Sequence, residues 1–514
     1  MNATNTTILR SISYGFATLF MYSTLVVAET SNPPKLKMTT HVPPEIVTPD
    51  KVDSPIGAFE FFDGVPTQET VKLVYDNLDR MRGVDVFLNL LPAVSVYGLR
   101  IGHENVSGKG SNKVSLFKGL MDSKSLYLTA NTSTLYAFAF TDLNKDGPTV
   151  IELPSGMLGA LNDGFFRYVG DFGPAGPDKG KGGKYLILPP NHKGNVPEGY
   201  FVLNPKTFRN WIFLRGSVSD GLEEAVNNIT SNLKIYPLSE ADNPPETEFT
   251  DVSGKSYNTL PPTDFSFFEQ LNQVIQEEPL GSLGPELRGQ LAAIGIAKSQ
   301  SFDPDERIKA LLEQSAAIGN ATARSIVWYP REKAAQIYPD TDSAWVMAFA
   351  DRDVFFEQNG ARNLDARTMF FMNYTAVTPA MAKPKPGVGS DYAIAYLDAQ
   401  KKPFDGSKTY KLTLPKDVPV KDFWAVTLYD TQTRSMLQTD QQFPTRGSNS
   451  EGFVQNADGS YDIFFAPMAP SGQENNWLQT IPGKSWFAIL RIYGPEQAWI
   501  DQSWRPGEIA EFEE

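Results

Sequence analysis

Short runs of aromatic and β-branched residues, cut by Gly, Pro, Asn and Asp, fill residues 125–214 and return at 392–493. Any fold of this chain must accommodate that two-residue period. The first block contains 125–128, 135–141, 149–153, 165–169, 185–188, 200–203 and 211–214. So many short strands in under a hundred residues form a sandwich pattern, although a barrel satisfies the same runs. The second block contains 392–396, 410–414, 423–429, 461–465 and 486–493.

Between and before these blocks the period changes to that of a helix. Val71, Val74, Leu78 and Met81 recur at three and four residues, which predicts an amphipathic helix from Thr67 that extends through Phe87, Leu90 and Leu91. Asp264 is placed to cap a segment carrying Phe267, Phe268, Leu271, Val274 and Ile275, ended by Pro279-Leu280-Gly281. Asp303-Pro304-Asp305-Glu306 supplies a cap, a first-turn Pro and a Glu to open a helix over 308–318. Lys383-Pro384-Lys385-Pro386-Gly387 then reads as an exposed connector. The expectation is a mainly β chain with a helical middle. Its divisions are a leader at 1–28, an extended arm at 29–64, a helix plus β domain at 65–260, the helical middle at 261–382 and a second β domain at 383–514.

A chain of 514 residues exceeds one ordinary hydrophobic core, and 41% hydrophobic residues are ample to build two or three. The net charge of −14 repels phosphate backbones, so nucleic acid is not an expected partner. With no cysteine there are no disulfides, thiolate metal sites or Cys nucleophiles. Arg10 precedes an apolar run ending in Val26-Val27-Ala28, the layout of a cleaved signal peptide before Glu29. This predicts a periplasmic or secreted protein with no membrane span after signal removal; an uncleaved anchor is the alternative. The cofactor is unknown from sequence, an oligomer is compatible with it, and the expected partner is a small or polymeric ligand.

Several stretches resemble a known family. Asn131-Thr132-Ser133-Thr134-Leu135-Tyr136, the loop 173–185 and Asp365-Ala366-Arg367-Thr368-Met369-Phe370-Phe371 are similar to the N-terminal module called domain of unknown function 1254. Tyr429-Asp430, the turn 456–460, Asn475-Asn476-Trp477-Leu478 and Leu490-Arg491-Ile492-Tyr493 resemble its C-terminal companion, domain of unknown function 1214. The resemblance implies an exported protein with an immunoglobulin-like sandwich, a helical segment and a jelly-roll-like C-terminal sandwich. It carries no catalytic residues.

The Gly-rich loop 173–184, with Lys179, Lys181 and Lys184, invites an anion reading, but it lacks the phosphate-loop spacing and runs into a strand. His41, His103 and His192 stand apart without ligand spacing, and no Gly-x-Ser-x-Gly elbow accompanies them. Asp163 and Asp171 are near each other in sequence only, a weak basis for a hydrolase pair, metal-assisted or not. The stronger signal is charge inside apolar strands. Alternation over 486–493 puts Phe487, Ile489, Arg491 and Tyr493 on one face of a strand apolar on both, so Arg491 is desolvated and needs a partner, for which Asp430 at the end of 423–429 is the candidate. Arg167 alternates with Phe165 and Val169 in the same manner. The candidate ligand-binding residues are therefore Asn131, Thr134, Tyr136 and Arg167 in the first β region. In the second they are Tyr429, Asp430, Asn476, Trp477 and Arg491. They imply a site where the two β domains meet; a hydrolase using carboxylates, metal-assisted or not, is the alternative, and a structural or interaction module is the third class.

Overall fold

A computed structural model describes residues 36–513, so the signal-peptide expectation at 1–28 lies outside the described residues. The chain divides into two compact units, the first ending at Val71 and the second running from Lys72 to the C-terminus. Where an extended arm was expected, the first unit holds a small antiparallel sheet of Lys51–Ser54, Gly57–Phe62 and Val65–Pro66. Its tight turn is Asp63-Gly64, with φ of 47° and 82°, the pair of positive values that a two-residue hairpin of matching twist requires.

The boundary between the units falls within helix α1 (Gln68–Ser107), which is longer than its sequence pattern because it continues past Pro92. Proline there removes one backbone donor, a cost offset by the burial of Leu91, Ala93 and Val94 around it. Part of α1 is long and apolar enough to cross a membrane by composition, yet 67% of that window is buried inside the fold, and packing accounts for its apolarity.

Beyond α1 come β1 (Lys113–Leu116), β2 (Leu135–Phe140), β3 (Thr149–Leu153), β4 (Met157–Asp163), β5 (Tyr168–Phe172) and β6 (Gly183–Ile187). Then follow β7 (Phe201–Leu203), β8 (Asn210–Gly216), α2 (Leu222–Asn232), β9 (Lys234–Pro237) and β10 (Glu248–Asp251). They form a six-stranded sheet in the order β10-β1-β2-β8-β4-β5 and a four-stranded sheet in the order β7-β6-β3-β9. The expected strand at 125–128 is only an isolated bridge from Leu126 to Asn258. Residues 165–167 turn between β4 and β5 rather than extending. Strand β4 was hidden by Gly159 and its polar end; Gly159 is needed because a Cβ there would collide with the Phe213 carbonyl oxygen on β8.

The helical middle comprises α3 (Ser266–Glu277), α4 (Pro285–Ala293), α5 (Glu306–Trp328) and, past β11 (Trp345–Val346), α6 (Leu364–Asn373). Helix α5 starts two residues later than its sequence signature, because Asp305 itself caps it by accepting from the Ile308 N–H at 2.7 Å. The connector at 383–387 follows, with Lys383 and Lys385 exposed. The C-terminal strands are β12 (Ser390–Ala395), β13 (Tyr410–Leu414), β14 (Val420–Asp430), β15 (Thr445–Gly447), β16 (Tyr461–Ala466), β17 (Trp477–Gln479), β18 (Trp486–Pro495) and β19 (Ala510–Glu511). They build one sheet in the order β11-β12-β18-β14-β15 and another in the order β17-β16-β13-β19. With about 29% helix and 26% strand, the chain is mixed α/β in several sheets rather than mainly β.

Strand alternation explains the cores. Leu135, Ala137 and Ala139 of β2 pack with Ile151, Tyr185 and Ile187 of the four-stranded sheet. The alternate residues Tyr136, Phe138 and Phe140 join a central cluster with α1, α3 and α6, and with Tyr429, Phe487 and Ile489 of the C-terminal sheet. On the far face of that sheet Ala488, Leu490, Val426 and Leu428 meet Leu412 and Ile463 in a third cluster. Both large sheets are therefore buried on both faces, and the faces that look toward each other share the central cluster.

Helices α1 and α5 approach closely at Gly319, where an added Cβ would come 2.6 Å from the ring of the fully buried Phe87. Gly289 on α4 is exposed and has nothing near its Cβ direction. Gly319→Ala is expected to destabilise by about 1–3 kcal/mol through overpacking, and Gly289→Ala to stabilise by about 0.5–1 kcal/mol through helix propensity. Urea unfolding of the two variants, giving shifts of opposite sign, is the check.

Candidate functional site

Two arginines point into the central cluster from opposite sheets. Arg215 follows Trp211 and Phe213 on the inward face of β8 and sits across from Tyr136 of β2. Arg491 follows Phe487 and Ile489 on the inward face of β18 and sits across from Tyr392 of β12. Both line a cavity of about 80 Å³ whose other polar walls include Asn131, Tyr136, Tyr374 and Tyr392. Among the described residues no aspartate or glutamate lines it.

Arg491 is 4% exposed and is held entirely by neutral groups. Its Nη1 donates to Tyr429 Oη at 2.5 Å, and its Nη2 to the carbonyls of Thr129 and Ala130 at 2.9 and 3.4 Å. Tyr429 Oη in turn donates to the Ala130 carbonyl at 2.6 Å. Tyr493 Oη donates to Asn131 Oδ1 at 3.1 Å, while Asn131 Nδ2 donates to Tyr136 Oη at 3.0 Å. Burial works against the Arg491 charge, but the surrounding Tyr429, Tyr493 and Tyr392 oxygens more than offset it and its pKa is raised. Arg215 lies over the Phe213 ring, 5.5 Å from its centroid, and its buried Nε has no hydrogen-bond partner. Burial pushes Tyr374 and Tyr429 up, so those phenols stay neutral near pH 7. The cavity thus holds two guanidinium charges and no counter-charge, an arrangement suited to a small anion.

The candidate residues from sequence divide among several places. Asn131, Tyr136 and Arg491 line this cavity, and Tyr429 positions Arg491. Thr134 is outside its wall, with a buried hydroxyl that has no partner. Asp430 is not the partner of Arg491: it pairs with Lys484 and accepts from the Gln432 and Thr433 N–H groups. Strand geometry dictates this, because Tyr429 and Asp430 are successive on β14 and leave on opposite faces. Asn476 braces a loop through the Val454 and Asp462 carbonyls, and Trp477 Nε1 donates to the Ala466 carbonyl, and neither lines the cavity. Arg167 pairs with Asp163 at 2.7 Å and lines a different cleft. The residue missed was Arg215, although it carries the signal that singled out Arg491, a charge continuing one face of an apolar strand. Tyr374 and Tyr392 gave no such signal.

Other constellations have structural occupations. In the Gly-rich loop the anion is the protein's own: Asp178 accepts from the N–H groups of Gly173 and Gly182 and from Tyr185 Oη. Asp163 is saturated by Arg167 and the Phe165 and Arg167 N–H groups. Asp171 accepts from Thr378 and Tyr168, so the two are not a free carboxylate pair. Ser115 lies 2.7 Å from His103 Nδ1, but they are 0% and 2% exposed, out of reach of a substrate. Among the described residues no three His, Asp or Glu side chains gather as a metal-ligand set.

Residues 111–237 match the family described as protein of unknown function DUF1254, and residues 389–497 match protein of unknown function DUF1214, in that order along the chain. No curated protein matches. Among solved structures, the VPA0106 protein from Vibrio parahaemolyticus is 18% identical, covers 85% of this chain over 100% of its own, and superposes with a TM-score of 0.51, a likeness of fold alone. A putative uncharacterised protein from Burkholderia cenocepacia is 13% identical over 86% of this chain and 97% of its own, with a TM-score of 0.37.

Burial of His103 lowers its pKa from 6.5 to about 4, whereas an unfolded chain restores the ordinary value. Between those values the unfolded state binds a proton that the native state refuses, so stability falls as pH falls through this window and levels off below it. At pH 4.5 the loss attributable to His103 is about 2–3 kcal/mol. Urea unfolding at pH 7 and 4.5 should show a shallower acid dependence in His103→Gln than in the parent; identical dependence in both contradicts the assignment.

Proposed function

We propose that the protein binds a short-chain organic carboxylate in the cavity shared by its two large sheets. The observation that carries this reading is a pair of inward arginines, Arg215 and Arg491, in a cavity wall without an acidic residue. Guanidinium groups are matched in shape and charge by a carboxylate, and a buried positive site without a protein counter-ion gains most from an anionic guest. Apolar walls such as Phe138, Phe213 and Ile489 accept the hydrocarbon part. Size narrows the class. A cavity of about 150 Å³ holds benzene, so one of about 80 Å³ favours an acid of a few carbons over an aromatic one.

Two further elements belong to the same reading. The protein is exported after removal of residues 1–28, on the strength of Arg10 and the small residues before Glu29. The paired sheets of the first and second β regions are an immunoglobulin-like and a jelly-roll-like sandwich, supported by the hydrophobic clusters that each pair shares. Mass spectrometry of protein recovered from the exported compartment should give a start near Glu29, and an intact Met1 rejects the export element.

The binding reading is tested with propionate and its neutral isostere propionamide. Propionate at a hundredfold excess over its Kd should stabilise the parent by about 2.7 kcal/mol, propionamide should not, and Arg215→Met should abolish the response. Equal effects of the two compounds, or a full response in Arg215→Met, rejects the proposal.

A further inference from the structure

Helix α6 separates the carboxylate cavity from a larger cleft: Phe370 lines the first, and Arg367 and Phe371 line the second. The cleft measures about 490 Å³ and lies between α1, the β4–β5 turn, the loop at 204–206 and the hairpin Glu357–Gln358/Ala361–Arg362. Its wall carries four cations, Arg167, Lys206, Arg362 and Arg367. In a chain of net charge −14 such a concentration is local, not a reflection of composition.

The available carboxylates do not balance these charges. Asp163 lines the cleft and is committed to Arg167 Nε at 2.7 Å. Glu357 stands 3.4 Å from Arg362, with both side chains well exposed. Among the described residues Arg367 has only neutral partners: its Nη2 donates to Asn89 Oδ1 at 2.6 Å and to the Asn89 carbonyl at 3.2 Å, and its buried Nε donates to none of them. Arg167 also keeps a buried, unpartnered Nη2 after its Nη1 donates to the Ser282 carbonyl. Burial and the neighbouring Arg362 lower the pKa of Arg367 to about 10, so it remains a cation at neutral pH beside a like charge. Four cations face two carboxylates, which leaves a surplus matching one dianion. Around this polar patch stand Phe165, Phe166, Phe356, Phe371, Leu283 and Leu287, an apolar surface that inorganic phosphate would leave unused.

We infer that this cleft is a second ligand site, taking a phosphate monoester with an apolar body, the phosphate against Arg367, Arg362 and Lys206 and the body against the phenylalanines. A dianionic phosphate cancels the surplus where a monocarboxylate leaves half of it, and its oxygens suit guanidinium forks. The cleft shares helix α6 with the carboxylate cavity but no lining residue, so the two sites are independent.

The test is calorimetric titration of the full chain with phenyl phosphate, inorganic phosphate and vesicles of phosphatidylcholine containing phosphatidic acid. Phenyl phosphate should bind, inorganic phosphate should bind more weakly, and Arg367→Met should weaken phenyl phosphate by about tenfold or more. Arg362→Met removes an exposed side chain and serves if Arg367→Met fails to fold; it should weaken phenyl phosphate as well. The propionate response, read in the same variants, should persist, and in Arg215→Met the phenyl phosphate affinity should persist, so either site can fail alone. Absence of phenyl phosphate binding, unchanged affinity in the arginine variants, or inorganic phosphate binding as tightly as the ester overturns the inference. Binding to vesicles without binding to soluble phenyl phosphate overturns it too, in favour of a membrane headgroup.

Discussion

The unmatched charge of Arg215 and Arg491 governs how the interior of this protein must be organised. An ion taken out of water needs an opposite charge or a complete set of acceptors. Arg491 obtains the second kind from Tyr429, Thr129 and Ala130, which ties a strand of the C-terminal sheet to the loop entering β2. Arg215 is only partly supplied, with Tyr136 beside it and an orphaned Nε over an aromatic ring. The tyrosines and Asn131 between them extend that network from one sheet to the other. The contact between the two β regions is therefore polar at its centre and apolar around it, and the cavity is where the polar groups run out of partners.

Helix α6 is the partition between the two cavities of this interior. Its residues alternate between Phe370 on the small cavity and Arg367 and Phe371 on the larger cleft, the helical period distributing them to different sides. Its own N-terminus is fixed by Asn363, whose side chain accepts from the Ala366 N–H at 3.0 Å and donates to Glu332 at 2.8 Å. The helix stands between a cavity lined by two cations and a cleft lined by four, and so keeps the like charges apart.

Much of this was legible from residue order, and what was not had definite causes. The alternation over 486–493 gave the faces of β18 as they occur, with Phe487, Ile489 and Arg491 inward together. The same rule applied to 211–215 finds Arg215. Asp430 was misjudged because its place at the end of the apolar strand 423–429 does not set its direction: it leaves on the face opposite Tyr429 and pairs with Lys484. The apolar length of α1 obscured its continuity through Pro92, since only tertiary burial offsets the lost hydrogen bond. Strand β4 was invisible because Gly159 serves a close approach to β8 that no local pattern encodes. Asn476 and Trp477 have the look of ligand-binding residues in sequence, yet their hydrogen bonds go to the backbone carbonyls of Asp462 and Ala466 on β16.

The most direct measurement of the central claim is anomalous diffraction from crystals soaked in iodide, a compact anion that reports sites of uncompensated positive charge. An ordered iodide is expected in the cavity between Arg215 and Arg491 and is expected to be lost in Arg215→Met. Strong iodide sites confined to the protein surface, with the cavity empty of anomalous signal, contradict it.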